Sequence, residues 1–155
     1  MKSIDPHQER VLNTDNPYVD KRAVEGRIVC VLDARSERRG MQVELHPSRA
    51  VPAGEIHELA VTDDPEAGPG ARVERVAYVG FVEIVRGGVI LAGDQVTLGL
   101  RQLGQVVGFD STHFPNHLNI LVRGPHWQTG RELEAMIDEP VIFAFTPPGA
   151  PARPR

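Results

Sequence analysis

Short apolar runs bounded by glycine, proline or charged residues recur through the middle of the chain, and valine and isoleucine dominate them. β-branched side chains suit the pleated, half-buried surface of a strand. The pattern predicts strands over 26–33, 41–45, 56–62, 73–85, 95–98, 105–109, 117–123 and 140–145. The run 73–85 is the longest, and Gly80 is the position at which it would bend, as strands do at barrel corners. The pairs Arg39-Gly40, Gly87-Gly88 and Gly93-Asp94, with Gly99, supply tight turns. Connections this short favour antiparallel neighbours, because a parallel pair needs a crossover of about a dozen residues or more. Helical character is confined to 130–138, GRELEAMID, at most two turns. The fold expected is all-β: a small closed or partly open antiparallel barrel of Greek-key type, with one short helix at most.

The flanks differ from this middle. Residues 1–23 are polar, with Asp-Pro and Asn-Pro turn signals, and read as an extended arm; 147–155, ending PPGAPARPR, read as a disordered tail. A single barrel domain over 24–146 lies between them, and the proline- and glycine-rich segment 63–70 is a surface loop within it. A length of 155 residues fits one domain able to bury a core.

Composition narrows the partners. Acidic residues outnumber basic ones, 21 to 17, and aromatic residues are only 5%, so neither a basic stripe nor a stacking platform for nucleic acid is present. No apolar run approaches the ~20 residues of a membrane span, and the polar N-terminal residues resemble no signal peptide; a cytoplasmic location is expected. Cys30, the one cysteine, sits in the run RIVCVL and reads as a small core residue. Trp127 reads as a lid over one end of the barrel or an oligomer contact. Phosphate-loop, dinucleotide, zinc-protease and nucleophile-elbow motifs are absent.

Candidate chemistry concentrates in GFDSTHFPNHLNILVRG, where a polar loop separates two apolar strands. Asp110, His113, Asn116 and His117 are the candidate ligand-binding residues, and Asp110, His113 and His117 form a candidate divalent-metal set. Pro115 prevents a regular helix from presenting both histidines, so loop geometry must bring them together. Turn chemistry accounts for the Asp and Asn equally well, each bonding nearby backbone. His57 lies between Glu55 and Glu58; with Ile56 facing the core, its ring falls on the opposite face, where it becomes a candidate phospho-acceptor if that face lines a cleft. His46, before Pro47, reads as a turn residue.

Gly93, Asp94, Val96, Leu98 and Gly99, then Gly108, then His117, Ile120 and Gly124 form a glycine-anchored pattern, with Gly40-Met41 and Pro52 upstream. The pattern resembles the glucitol/sorbitol-specific IIA component of the sugar phosphotransferase system, and the passage also resembles uncharacterised bacterial domains. The first resemblance implies a six-stranded Greek-key barrel and a histidine phosphocarrier. Counted from Pro52, that family's acceptor position falls at Thr62 here; the nearest histidine, His57, is five residues away and on the opposite face of a strand.

Three functions follow as expectations. The first is a barrel that binds a small polar ligand or a divalent metal through the 110–117 loop. The second is a phosphocarrier with His57 or His117 as acceptor. The third is a structural or assembly protein, a homo-oligomer whose arm and tail touch a neighbouring copy.

Overall fold

The computed structural model describes residues 17–147. Most of the expected arm and all but the first residue of the expected tail lie outside the described residues.

Eleven strands form, in chain order: β1 (Val24–Ser36), β2 (Met41–Gln42), β3 (Ser48–Val51), β4 (Ile56–Thr62), β5 (Arg72–Val73), β6 (Val76–Arg86), β7 (Gly88–Leu91), β8 (Gln95–Leu98), β9 (Arg101–Asp110), β10 (Asn119–Arg123) and β11 (Pro140–Ala144). Seven close into a barrel in the order β1-β11-β8-β9-β10-β4-β6, so none of the seven is left as an open edge. Six seams are antiparallel, as the short turns predict; the exception is the parallel seam between β4 and β10. These two strands are far apart in sequence, and the intervening strands serve as the long crossover that parallel pairing requires.

The interior is aliphatic. Ile28, Leu59, Val61, Val82, Phe109, Ile120, Val122 and Phe143 are buried together within the ring. A second apolar cluster (Met41, Val43, Ala60, Val73, Val76, Val107 and Leu121) lies on the outer face. The pair β2–β5 supplies Met41 and Val73 to it. β4 is therefore covered on both faces, and all of it after Ile56 is buried, which explains its unbroken apolar run LAV.

Several expectations change in detail. The run 73–85 divides: Arg72–Val73 leaves to pair with β2, and β6 starts at Val76. Register irregularities flank Gly80 in both of the seams made by β6, so the bend does fall there. A Cβ at Gly80 would collide with the Cys30 carbonyl, which is why the position must be glycine. β3 and β7 were not foreseen as strands; they pair with each other, and their Val51 and Ile90 enter the barrel core. Residues 130–138 form successive turns, because Glu134 and Asp138 adopt left-handed backbone conformations that end any helix. Cys30 is exposed, a correction to the core reading: β1 shifts register between Ile28 and Cys30 and turns the thiol outward. Trp127 packs half-buried against the barrel core, and the Arg75 guanidinium stacks 3.9 Å from its ring centroid.

Candidate functional site

Strand register sets out a polar row on the outer face of the barrel. Asn119 on β10 is the register partner of Asp110 on β9 and of Glu58 on β4, and Glu58 is in turn the partner of Phe81 on β6. Each lies opposite in the pleat to core residues such as Leu59, Phe109 and Ile120, so the four side chains share one face. The row borders the second apolar cluster, where Tyr78 packs.

The polar side chains in this row are almost out of water: Asn119 is fully buried, Asp110 is 3% exposed, and Glu58 and His117 are 9% exposed. Groups so placed need partners. Asp110 has them, accepting from the Thr112 hydroxyl at one oxygen and the Asn119 amide at the other, each at 2.7 Å. The Arg39 guanidinium sits 3.6 Å from Asp110 Oδ2 and donates to the Tyr78 hydroxyl at 2.7 Å. Burial pushes the Tyr78 phenol up, with Arg39 opposing and Glu58 and Asp110 reinforcing the rise.

Two atoms lack such satisfaction. His117 Nε2 and Asn119 Oδ1 are buried and have no hydrogen-bond partner among the described residues. The Glu58 carboxyl lies beside them, 3.9 Å from His117 Nε2. Burial raises the Glu58 carboxyl above its ordinary 4.5, against the pull of His113 and Arg39, while Asp110 adds to the rise. Burial also lowers the His117 imidazole below 6.5, helped by His113 and His57. Both shifts favour the neutral forms.

The loop 111–116 is exposed at every residue, and its Phe114–Pro115 bond is cis. It holds the His113 ring 5.2 Å from that of His117, centroid to centroid. Asn116 donates from Nδ2 to His117 Nδ1 at 2.7 Å, which leaves the proton of the neutral ring on Nε2. The Phe81 ring meets His117 edge-on at 5.0 Å.

The loop's candidate residues therefore play different parts. Asp110 and His117 reach the buried row, His113 covers it, and Asn116 orients His117 from the surface. Asp110 and Asn116 bond side chains, so the backbone-turn reading of both is replaced. The metal set Asp110, His113 and His117 does not converge: both Asp110 oxygens are taken, and no metal-holding group of three or more His, Cys, Asp or Glu side chains occurs among the described residues.

His57 needs a further correction. Its ring faces inward and is buried, whereas Ile56 is 44% exposed, the reverse of the expected facing. His57 Nδ1 accepts from the Leu118 backbone N–H at 3.0 Å and Nε2 donates to Glu55 at 3.0 Å, so neither nitrogen is spare. Thr62 is fully buried, and its hydroxyl accepts from the Asp64 N–H. His46 bonds Ser48 through Nδ1, in keeping with a turn role.

Glu58, Asn119, Arg39 and Tyr78 were missed in the sequence. Asn119, two residues after His117, could have been included on spacing; Glu58 and Tyr78 come from strands remote in the chain, brought together by pairing, and Arg39 reaches in from the β1–β2 connection.

Comparison with known proteins identifies a family described as a family of unknown function (DUF6917), whose profile matches residues 18–144. No curated protein and no solved structure matches the chain. Among the described residues no helix is long and apolar enough to cross a membrane.

Proposed function

The chain belongs to this DUF6917 family, and from that premise we propose that the protein binds a small polar molecule at the Glu58–His117–Asn119 cluster, beneath the 111–116 loop. One observation carries the reading: two buried polar atoms, His117 Nε2 and Asn119 Oδ1, have no partner among the described residues, and both adjoin Glu58. An unmade buried hydrogen bond costs about 1–3 kcal/mol, and a ligand that completes it recovers that cost. Asp110 and Asn116 belong to the site as positioning residues and His113 as its cover. A ligand enters by displacing the exposed loop.

The test is thermal unfolding of the full chain with a panel of small sugars, polyols, amides and carboxylates. A binder at about 100 times its dissociation constant stabilises by about 2.7 kcal/mol, a melting rise of several degrees. The rise should vanish in His117→Leu. A panel with no effect, or an equal rise in the variant, overturns the reading.

The phosphocarrier role implied by the sugar-phosphotransferase resemblance draws less support. Phosphoryl transfer needs an imidazole nitrogen open to the donor, whereas both His57 nitrogens are engaged and His117 Nε2 faces a carboxyl. Homo-oligomerisation has one observation in its favour: Leu100, Met136 and Ile137 are exposed on two segments that both contact Glu139.

A further inference from the structure

The hydrogen-bond directions around the cluster limit what it can hold. Asn119 spends its amide N–H on Asp110, whose second oxygen is occupied by Thr112, so Asn119 cannot turn over without breaking that bond. Its open atom is the carbonyl Oδ1, an acceptor only. His117 is fixed the other way. Its Nδ1 accepts from Asn116, so its open atom, Nε2, carries hydrogen and donates. Glu58 adjoins both, across the β4–β10 seam from Asn119 and 3.9 Å from His117 Nε2. Phe81, the cross-strand partner of Glu58 and edge-on to His117, adds an aromatic wall.

Resting on the binding role above, we infer that the site selects an uncharged molecule presenting a hydrogen-bond acceptor beside a donor on a flat apolar body, as an aromatic carboxamide does. The ligand carbonyl takes the His117 Nε2–H, and the ligand N–H goes to Asn119 Oδ1 or to Glu58. Charged molecules of the same outline fit less well. An anion brings acceptors alone, which leaves Asn119 Oδ1 unserved and adds charge beside Glu58 and Asp110. A cation brings donors alone, which leaves the Nε2–H facing another donor, and burial, which disfavours charge on Glu58, limits how far that carboxyl balances it. Formal charge on either ligand also loses its hydration on entering so enclosed a place.

Benzamide, benzoate and benzamidine share one shape and differ in these features. Titrating each into the 15N-labelled full chain at pH 7, read on the His117 ring and Asn119 side-chain resonances, tests the inference. Benzamide should bind at least about tenfold more tightly than either charged analogue. A tie, a preference for a charged analogue, or no response to any of the three overturns it. If none binds while another compound raises the melting temperature of wild type but not of His117→Leu, the ligand class is wrong and the site stands. Asn116→Asp supplies a second check from an exposed position. A carboxylate there accepts the Nδ1 proton, so Nε2 loses its hydrogen or the ring ionises, and the preference for benzamide should fall. The ring 15N shifts report whether the proton moved; an unchanged preference with a moved proton also overturns the inference.

Discussion

Glu58 and His117 face each other with opposite linkage to pH. The folded chain holds the Glu58 proton more tightly than the unfolded chain does, so this group's contribution is full below about 4.5 and is lost as pH rises through its raised folded value. The folded chain holds the His117 proton less tightly, so its contribution is present above about 6.5 and is lost as pH falls through its lowered folded value. Removing one exposes the other. Glu58→Gln should gain stability relative to wild type as pH rises from 4 to 7, measured by urea unfolding at each pH; a difference that does not change with pH contradicts the burial argument. At this scale the sequence disclosed the loop residues Asp110, His113, Asn116 and His117, because polar side chains clustered between apolar strands stand out. It did not disclose Glu58. Its neighbour His57 was the more conspicuous residue, and which of the two faces the core depends on where the strand starts.

Among the elements, β9 and the chain at the end of β10 pack closely where Gly104 and Gly124 meet. A Cβ on Gly104 would strike the Arg123 carbonyl, and one on Gly124 the Leu103 carbonyl. Gly104 also has a φ of 144°, which side chains rarely adopt. Gly104→Ala should cost about 1–3 kcal/mol through forced displacement of backbone. Gly93 is a control: its φ is 98°, yet nothing lies within 4 Å of an added Cβ, so Gly93→Ala should cost about 1 kcal/mol from conformation alone. Chemical denaturation of both variants checks the ranking, and equal losses would show that contact at the crossing matters little. Strands β4, β8 and β10 were legible from apolar content and turn residues. β3 and β7 were not, because they pair only with each other in a separate two-stranded sheet, and such a pair gains its stability from packing on the barrel. The stretch 130–138 has helical composition, yet Thr129, Arg131 and Glu139 tie it down by separate bonds to Asp33, the Leu32 carbonyl and Arg101, and tertiary contacts override propensity.

For the molecule as a whole, an ion pair helps fasten the described residues before β1 to the barrel. Lys21 Nζ lies 2.6 Å from Asp94 Oδ2, which also accepts the Leu91 N–H, and Asp94 is 1% exposed. Burial raises the Asp94 carboxyl and Lys21 restrains the rise. Lys21→Met should cost about 3 kcal/mol at pH 7, since it strands a buried carboxylate. The loss should shrink toward acid pH as Asp94 takes up a proton, and Lys21→Met combined with Asp94→Asn should recover part of it. Equal stability of wild type and Lys21→Met at pH 7 would show that the clasp contributes nothing. The turn Gly93-Asp94 was visible in the sequence; the lysine that neutralises it, 73 positions away, was not.

By itself the chain determined its class: β-branched runs, tight glycine turns and the lack of long helical periodicity leave an all-β barrel, because these are local preferences that each segment carries alone. The tertiary structure decided the parallel β4–β10 seam, the second apolar layer under β2–β5, the outward thiol of Cys30 and the inward ring of His57. It also decided which polar groups go unserved. Facing and register depend on bulges and on partners distant in sequence, and a shift of one residue carries a side chain from core to surface.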